Sequence, residues 1–415
     1  MNELHSDHER KYIVRRIAAT IRSLTEMSPV TIVTGARQVG KSTLLQHEFP
    51  DYTYLTLDDF SVLERARVDP AALWKGAERL VIDEAQKAPR LFEAIKLEVD
   101  QSNRRKKFLL SGSTDLLLMK GITESLAGRA FYMEMLPMTY GEIAGSLEPT
   151  FFHRLWQEDF TMAERAVEAI PPLPLLLRGF LPPLIFARGH QEVLAWLEGY
   201  ERTYLERDLR ELSQVDSLVD FRHVMRSLSL RAGSTLNQAD IAKDTGTSPA
   251  TAHRYLKLLE VSNIALRVPA YTASRHQRIV KAPKMYIVDP ALAVYLAGYL
   301  DGESLAHSRE IGGFFETLIH LHLGALCRLM TPRAQIYHWR TTAGYEVDFI
   351  LEHGRRLLAV EAKLSEKPTV HDARHLIRFV EEHPECLRGV LLHAGSAVTW
   401  LHSRVIAVPW YLIDT

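Results

Sequence analysis

A multidomain α/β protein is the fold class this sequence predicts, and three observations predict it. The chain has 415 residues, more than one ordinary hydrophobic core accommodates. Its first 150 residues alternate short apolar runs, "VTIVTG", "YTYLTL", "RLVIDE" and "KKFLLSG", with helical patterns. That alternation describes a parallel sheet covered by helices. Past residue 220 the periodicity changes twice more, first to short basic helices and then to a helix followed by a mixed set of strands. The expected units are 1–150, a helical connector 151–220, a basic module 221–300 and a second α/β unit 301–415.

Composition narrows the functions open to such a chain. With 47% hydrophobic and 24% charged residues it is globular rather than disordered. A formal net charge of −1 excludes indiscriminate polyanion binding by the whole molecule, so any nucleic-acid surface must be local. Cys327 and Cys386 have neither metal-ligand spacing nor secretory company, which fits a reducing compartment. The opening "MNELHSDHERKYIVRR" has no apolar signal core, and "IPPLPLLLRGFLPPLIFARG" is cut by prolines and arginines. A cytoplasmic protein without membrane spans is the expectation.

The stretch "VTIVTGARQVGKSTLLQ" sets Gly35, Gly40, Lys41 and Ser42 in the spacing G-x-x-x-x-G-K-[ST], after an apolar strand and before a helical run. This is the context a phosphate-binding loop requires. Amides of Gly35, Ala36, Arg37, Gln38, Val39, Gly40, Lys41, Ser42 and Thr43 would cradle the phosphates of ATP. Lys41 would reach the β/γ oxygens, and Ser42 would bind Mg2+. About forty residues on, "RLVIDEAQ" ends a second apolar strand in Asp83 and Glu84, a pair suited to the magnesium shell and to orienting the attacking water. In "FLLSGSTD", Ser113 is the candidate γ-phosphate sensor; an ordinary strand-end turn is the plainer alternative. Arg129, before the strand in "ESLAGRAFYMEM", suits an arginine finger on a neighbouring copy, which implies a homo-oligomer, or a simple salt bridge.

Between residues 221 and 284 eleven Lys or Arg face three Asp or Glu, a local +8 that leaves −9 for the remainder. Within it, "LNQADIAKDTGTSPATAHRYLKLLE" has helix-turn-helix spacing, with Ser248 as cap and Pro249 at the first helical position. Thr251, His253, Arg254 and Lys257 on the second helix are placed for DNA phosphates and base edges. Arg275, Arg278 and Lys281 lie at or near the tip of a following wing.

In "RLLAVEAKLS" alternation puts Glu361 and Lys363 on one strand face, with Leu358, Val360 and Ala362 on the other. A hairpin through "EHGR" brings Asp348 of "YEVDFILE" beside Glu361. Glu316, on the helix "GGFFETLIHLHL", is a further ligand candidate. Carboxylates for Mg2+ together with an ammonium are what phosphodiester hydrolysis uses; a charged surface hairpin is the alternative.

The motifs "GARQVGKST", "VIDEAQKAP", "LLSGSTDLLL", "ESLAGRAFYMEMLPMTYGEI", "DTGTSPATAHRYLKLLE", "PKMYIVD", "GGFFETLI" and "EVDFILE…AVEAKLS" together resemble prokaryotic AAA-type P-loop ATPases that carry a C-terminal domain of unknown function. The resemblance covers almost the whole chain. It implies an ATPase head, a winged-helix middle and a restriction-endonuclease-like C-terminal domain similar to the PD-(D/E)XK nuclease fold. In that signature Asp348 matches the Asp, Glu361 the acidic member, Lys363 the lysine and Glu316 the helix glutamate. Two functions follow as expectations: an ATPase acting on DNA with a Mg2+-dependent nuclease site, or a nucleotide-switched DNA-binding protein whose C-terminal domain does not cut. A remodeller of a protein partner is a third, which the basic module disfavours.

Overall fold

The computed structural model describes residues 12–112, 126–203, 217–272, 274, 278 and 281–415. Its first sheet is built from β1 (Val30–Thr34), β2 (Thr53–Thr56), β3 (Arg79–Asp83), β4 (Lys107–Ser111) and β5 (Ala130–Glu134), in the order β2-β3-β4-β1-β5. Every adjacent pair is parallel. The four runs singled out in the sequence are β1 to β4. β1 is buried at all five positions, because helices cover both faces of a parallel sheet. One consequence matters for chemistry: β1 and β3 are separated only by β4, so the carboxyl ends of all three open on the same crevice.

The connector contains helices at Thr150–Arg154, Pro172–Arg178, Pro182–Ile185 and His190–Tyr200, as its periodicity predicts. It also contains an unforeseen two-residue strand, β6 (Arg165–Ala166). The basic module folds as helices Leu218–Ser229, Gln238–Thr245 and Pro249–Val261, then an antiparallel ribbon of β7 (Ala265–Val268) and β8 (Lys284–Ile287). Gly246, at φ 67°, ends the second helix in the left-handed region, and Ser248 caps the third by accepting from the Thr251 amide. The turn chemistry read from "TGTSP" is therefore the turn that forms.

The remaining strands are β9 (Gln335–Arg340), β10 (Glu346–His353), β11 (Arg356–Lys363), β12 (Cys386–His393), β13 (Ala397–His402) and β14 (Val405–Pro409). With β6 they form a seven-stranded sheet, ordered β6-β13-β14-β12-β11-β10-β9. The expected helix, three strands, helix and strand are present; β13 and β14 were not anticipated, since "AVTWLH" and "VIAVP" are short and separated only by a tight turn. A long helix, Ile311–Leu329, lies on one face and a helix at Arg374–Glu382 on the other. Both rims of this sheet are occupied by distant chain. β6 pairs with β13, and Ala270, just past β7, bridges to His338 of β9.

One hydrophobic core runs without interruption from Ile17 through Phe180, Tyr286 and Leu321 to Ile413. The modules thus share an interior. A second core fills the far face of the first sheet, and a third lies beneath the Arg374–Glu382 helix.

Candidate functional sites

β1 delivers its chain into a turn that only glycine can begin. Gly35 has φ 145°, and a Cβ there would stand 2.2 Å from the Met135 carbonyl oxygen. Gln38 (φ 68°) and Gly40 (φ 94°) complete the loop, and the helix Lys41–Glu48 starts at once. Lys41 is buried and folds its Nζ back to donate to the carbonyls of Gly35 and Ala36, 2.9 Å each. Other carbonyls of the loop are engaged from outside it: Arg37 accepts from Tyr200 Oη at 3.2 Å and Val39 from Arg15 at 2.9 Å. Tied down on its carbonyl side, the loop offers its amides and a helix N-terminus to an anion.

Asp83, at the end of β3, is buried and accepts from Tyr54 Oη at 2.6 Å and from Ser111 Oγ. The Tyr54 hydroxyl also interacts with the Ser42 side chain, so Ser42 and Asp83 converge on one point. Burial, then hydrogen bonding to Asp83, pushes the Tyr54 phenol up. Glu84 takes a left-handed turn at φ 56° and is held by Gln86 Nε2 at 2.5 Å. Burial raises its carboxyl and the Lys41 charge opposes that rise. A hydroxyl and a carboxylate meeting beside a lysine are the oxygen donors and cation that a magnesium nucleotide requires. Ser42 and Asp83 would hold the ion, and Lys41 the phosphates. A cavity of about 190 Å³ adjoins the loop, lined by Tyr12, Ile13, Met138, Pro182 and Phe186 beside Gly40.

The other expectations for this site fare differently. Ser113 lies outside the described residues. Ser111, two residues earlier, is the strand-end hydroxyl that reaches Asp83, and strand parity could have found it. Arg129 is not brought to the loop. It precedes β5, at the opposite end of the sheet from the phosphate site, and Asp100 holds it through two hydrogen bonds of 2.8 and 2.9 Å. Within one chain it is a salt bridge; a finger role would need a neighbouring copy.

A buried polar chain leads away from the loop. Arg15, whose Nη1 holds Val39, donates from Nε to Glu142 at 3.1 Å. Glu142 also accepts the Arg16 amide at 2.9 Å, and the Arg16 guanidinium pairs with Asp414. Asp414 in turn accepts the Gly141 amide; a Cβ on Gly141 would collide with the Asp414 carbonyl oxygen at 1.9 Å. His322, on the long helix, accepts from the Tyr140 amide at 2.9 Å, and burial lowers the pKa of its ring.

In the basic module His253, Arg254 and Lys257 are exposed on the helix Pro249–Val261, while Thr251 is half-buried and shares a hydrogen bond with Ser248. Arg254 lies over the Tyr255 ring, and Lys257 is 3.5 Å from Glu260. The wing expectation needs correction. Arg275 lies outside the described residues and Lys281 is exposed, but Arg278 turns inward. It donates to Glu352 of β10 at 2.8 and 3.3 Å and stacks on Tyr271 and Tyr337. The segment after β7 is fastened to β9, with Tyr271 donating its amide to the His338 carbonyl at 2.6 Å. The local +8 is thereby reduced, because part of it neutralises acids of the C-terminal sheet.

The C-terminal candidates do meet. Gly354, at φ 65°, turns β10 into β11, and the pairing of Phe349 with Val360 sets Asp348 opposite Glu361. The Asp348 amide donates to Glu361 Oε2 at 3.4 Å, and the Ala362 amide to Asp348 Oδ2 at 3.1 Å. Lys363 is 2.7 Å from Glu361. A cation that sequence reasoning missed completes the group. Lys284 of β8, 0% exposed, reaches Glu346 at 2.7 Å, Asp348 at 3.1 Å and Glu316 at 3.2 Å. Tyr286 Oη also donates to Glu316, at 3.1 Å. Burial, then the neighbouring Asp348, raises the carboxyls of Glu316 and Glu361. The expected metal set of Glu316, Asp348 and Glu361 is corrected accordingly: the ammonium of Lys284 joins two of the three and Lys363 engages the third. Among the described residues no group of three or more His, Cys, Asp or Glu is arranged to hold a metal ion.

Comparison with known proteins matches three stretches of the chain. A family model described as an AAA domain matches residues 27–144, and two domains of unknown function, DUF8612 and DUF4143, match residues 174–302 and 311–413. Uncharacterised proteins of Mycobacterium tuberculosis and Mycobacterium bovis are each 29% identical over 397 residues, 95% of this chain and 83% of theirs. A Walker-type ATPase of Pyrococcus abyssi is 17% identical over 69% of this chain and 97% of its own, with a TM-score of 0.45. AMPPCP-bound DnaA of Aquifex aeolicus is 14% identical over 60% and 89%, with a TM-score of 0.27. The chain carries an AAA-type P-loop ATPase domain and is an ATPase. Among the described residues no helix is long and apolar enough to cross a membrane.

Proposed function

We propose that this ATPase uses its nucleotide state to control engagement of DNA, and that its C-terminal domain takes part without cutting in the conformation described. The observation that carries the reading is the buried chain from Val39 through Arg15, Glu142 and Arg16 to Asp414. Val39 lies in the loop that receives the phosphates, so nucleotide binding bears directly on the Arg15 bond. Everything downstream is buried, where a charge pair moves as a unit or is lost at high cost.

Mg2+ and ATP belong to the loop, with Ser42, Asp83 and Lys41 in the roles given above. The apolar cavity beside Gly40 suits the adenine base. DNA would meet the exposed side of the helix Pro249–Val261, at His253, Arg254 and Lys257. The competing reading is a Mg2+-dependent nuclease, favoured by the convergence of Asp348, Glu361 and Lys363.

One experiment separates the two: ATP turnover with and without duplex or single-stranded DNA, with the DNA run on a gel from the same tubes. The expected result is turnover that rises with DNA while the DNA stays whole, with Lys363→Ala behaving as wild type. Asp414→Asn should keep basal turnover and lose the stimulation. DNA that is cut, and is spared by Lys363→Ala, would replace this reading with the nuclease.

A further inference from the structure

The amine of Lys284 has three N–H donors, and three carboxylates meet it, those of Glu346, Asp348 and Glu316 at 2.7, 3.1 and 3.2 Å. Donor capacity and acceptor supply match. A fully buried ammonium is strongly disfavoured unless it is paired in this way. Three carboxylates brought this close repel one another just as strongly unless a cation lies among them. Each side is therefore the condition for the other.

The lysine comes from a different module than its partners. β8 belongs to the basic module and Glu346 and Asp348 to the C-terminal sheet, with Glu316 on the long helix. The surrounding contact is close. A Cβ on Gly233, in the turn after the helix Leu218–Ser229, would stand 2.7 Å from the Glu316 carboxylate, and one on Gly313 would stand 2.1 Å from the Ala232 carbonyl oxygen. That turn, Lys284 and Tyr286 together pack against the acidic group, closely enough that position 233 has no room for a side chain.

We propose that Lys284 is the resident cation of the C-terminal carboxylate site, so that docking of the basic module and occupation of the site by a divalent ion exclude each other. A divalent ion prefers oxygen ligands at about 2.0–2.6 Å, and an ammonium held by the same oxygens stands in its place. Undocking the module withdraws the ammonium and turns Glu316, Glu346 and Asp348 into a converging oxygen set. The inference concerns this site alone and does not rest on the DNA reading.

The test is Mn2+ binding to the nucleotide-free full chain, followed by the electron paramagnetic resonance of free Mn2+. Wild type and Asp348→Asn should bind alike. Lys284→Met, which keeps the stem and removes the charge, should take up one additional Mn2+ per chain, and adding Asp348→Asn to it should abolish that gain. Retained ATP turnover reports that Lys284→Met is folded. Should it unfold in EDTA, a midpoint restored by Mn2+ supports the proposal and failure of Mn2+ to restore it overturns it. Mn2+ uptake by wild type that Asp348→Asn removes would overturn it, as would a folded Lys284→Met that binds no more than wild type.

Discussion

Two lysines define this molecule, and their surroundings are opposite in character. Lys41 holds neutral carbonyls of its own loop, acceptors that phosphate oxygens outcompete because a charge-assisted hydrogen bond is the stronger one. Lys284 is held by three carboxylates, and nothing neutral or singly charged improves on them. The first site is completed by its ligand; the second is complete already. Similar residue types thus make a receptive site in one place and a closed joint in the other, and the decisive variable is the charge on the groups that the lysine already touches.

The largest expected effect falls on the closed joint. Lys284→Ala strands the buried Asp348 and the half-buried Glu316 and Glu346, and removing one partner of a buried charge set in this way costs about 3–5 kcal/mol. Chemical denaturation monitored by the fluorescence of Trp339 and Trp410 should show the loss, and an unchanged midpoint would mean that the two sites do not differ as described. At the receptive site Lys41→Ala should lower phosphate release about 10²–10³-fold with little change in the unfolding midpoint. A large stability loss there would erase the contrast.

The next effect in size concerns Arg278. Arg278→Ala removes a two-fold hydrogen bond to Glu352 and two ring contacts, together worth about 1–3 kcal/mol. Stability should fall while the salt dependence of the proposed DNA binding stays as in wild type. Arg254→Ala and Lys257→Ala should do the reverse, each reducing the salt slope by about 1.

The smallest effect is a titration. His320 stacks on Tyr286, and burial lowers its pKa from 6.5 to about 3. A base with a depressed folded pKa contributes its full stability above the unfolded value and loses it as pH falls. The decline should span pH 6.5 to about 3, and His320→Phe, which keeps the stack, should flatten it in pH-dependent melting.

Legibility in the sequence followed locality. Gly35 to Ser42 form a site within eight consecutive residues, and one hairpin turn joins Asp348 to Glu361, so spacing alone could place both groups. Lys284 is separated from Asp348 by 64 positions and belongs to another module. Its apolar neighbours in "PKMYIVD" read as an ordinary buried strand, and only the burial of the lysine itself could have raised the question. Arg278 was misplaced on the wing for a related reason: it counts as positive charge in any tally, but whether that charge faces solvent depends on the sheet packed against it. β13 and β14 were missed because neither is long enough for its alternation to stand out.

The rims of the seven-stranded sheet have a consequence for how the C-terminal region can be handled. β6 closes one rim and Ala270 the other, and both segments lie outside residues 301–415. An exposed strand rim is a template on which other chains pair and aggregate. A fragment beginning near residue 301 would lose both coverings, the lysine that neutralises its acidic group and its share of the continuous core. Such a fragment should precipitate or form fibrils rather than report the domain's own behaviour, and its inactivity would carry no information about the intact chain.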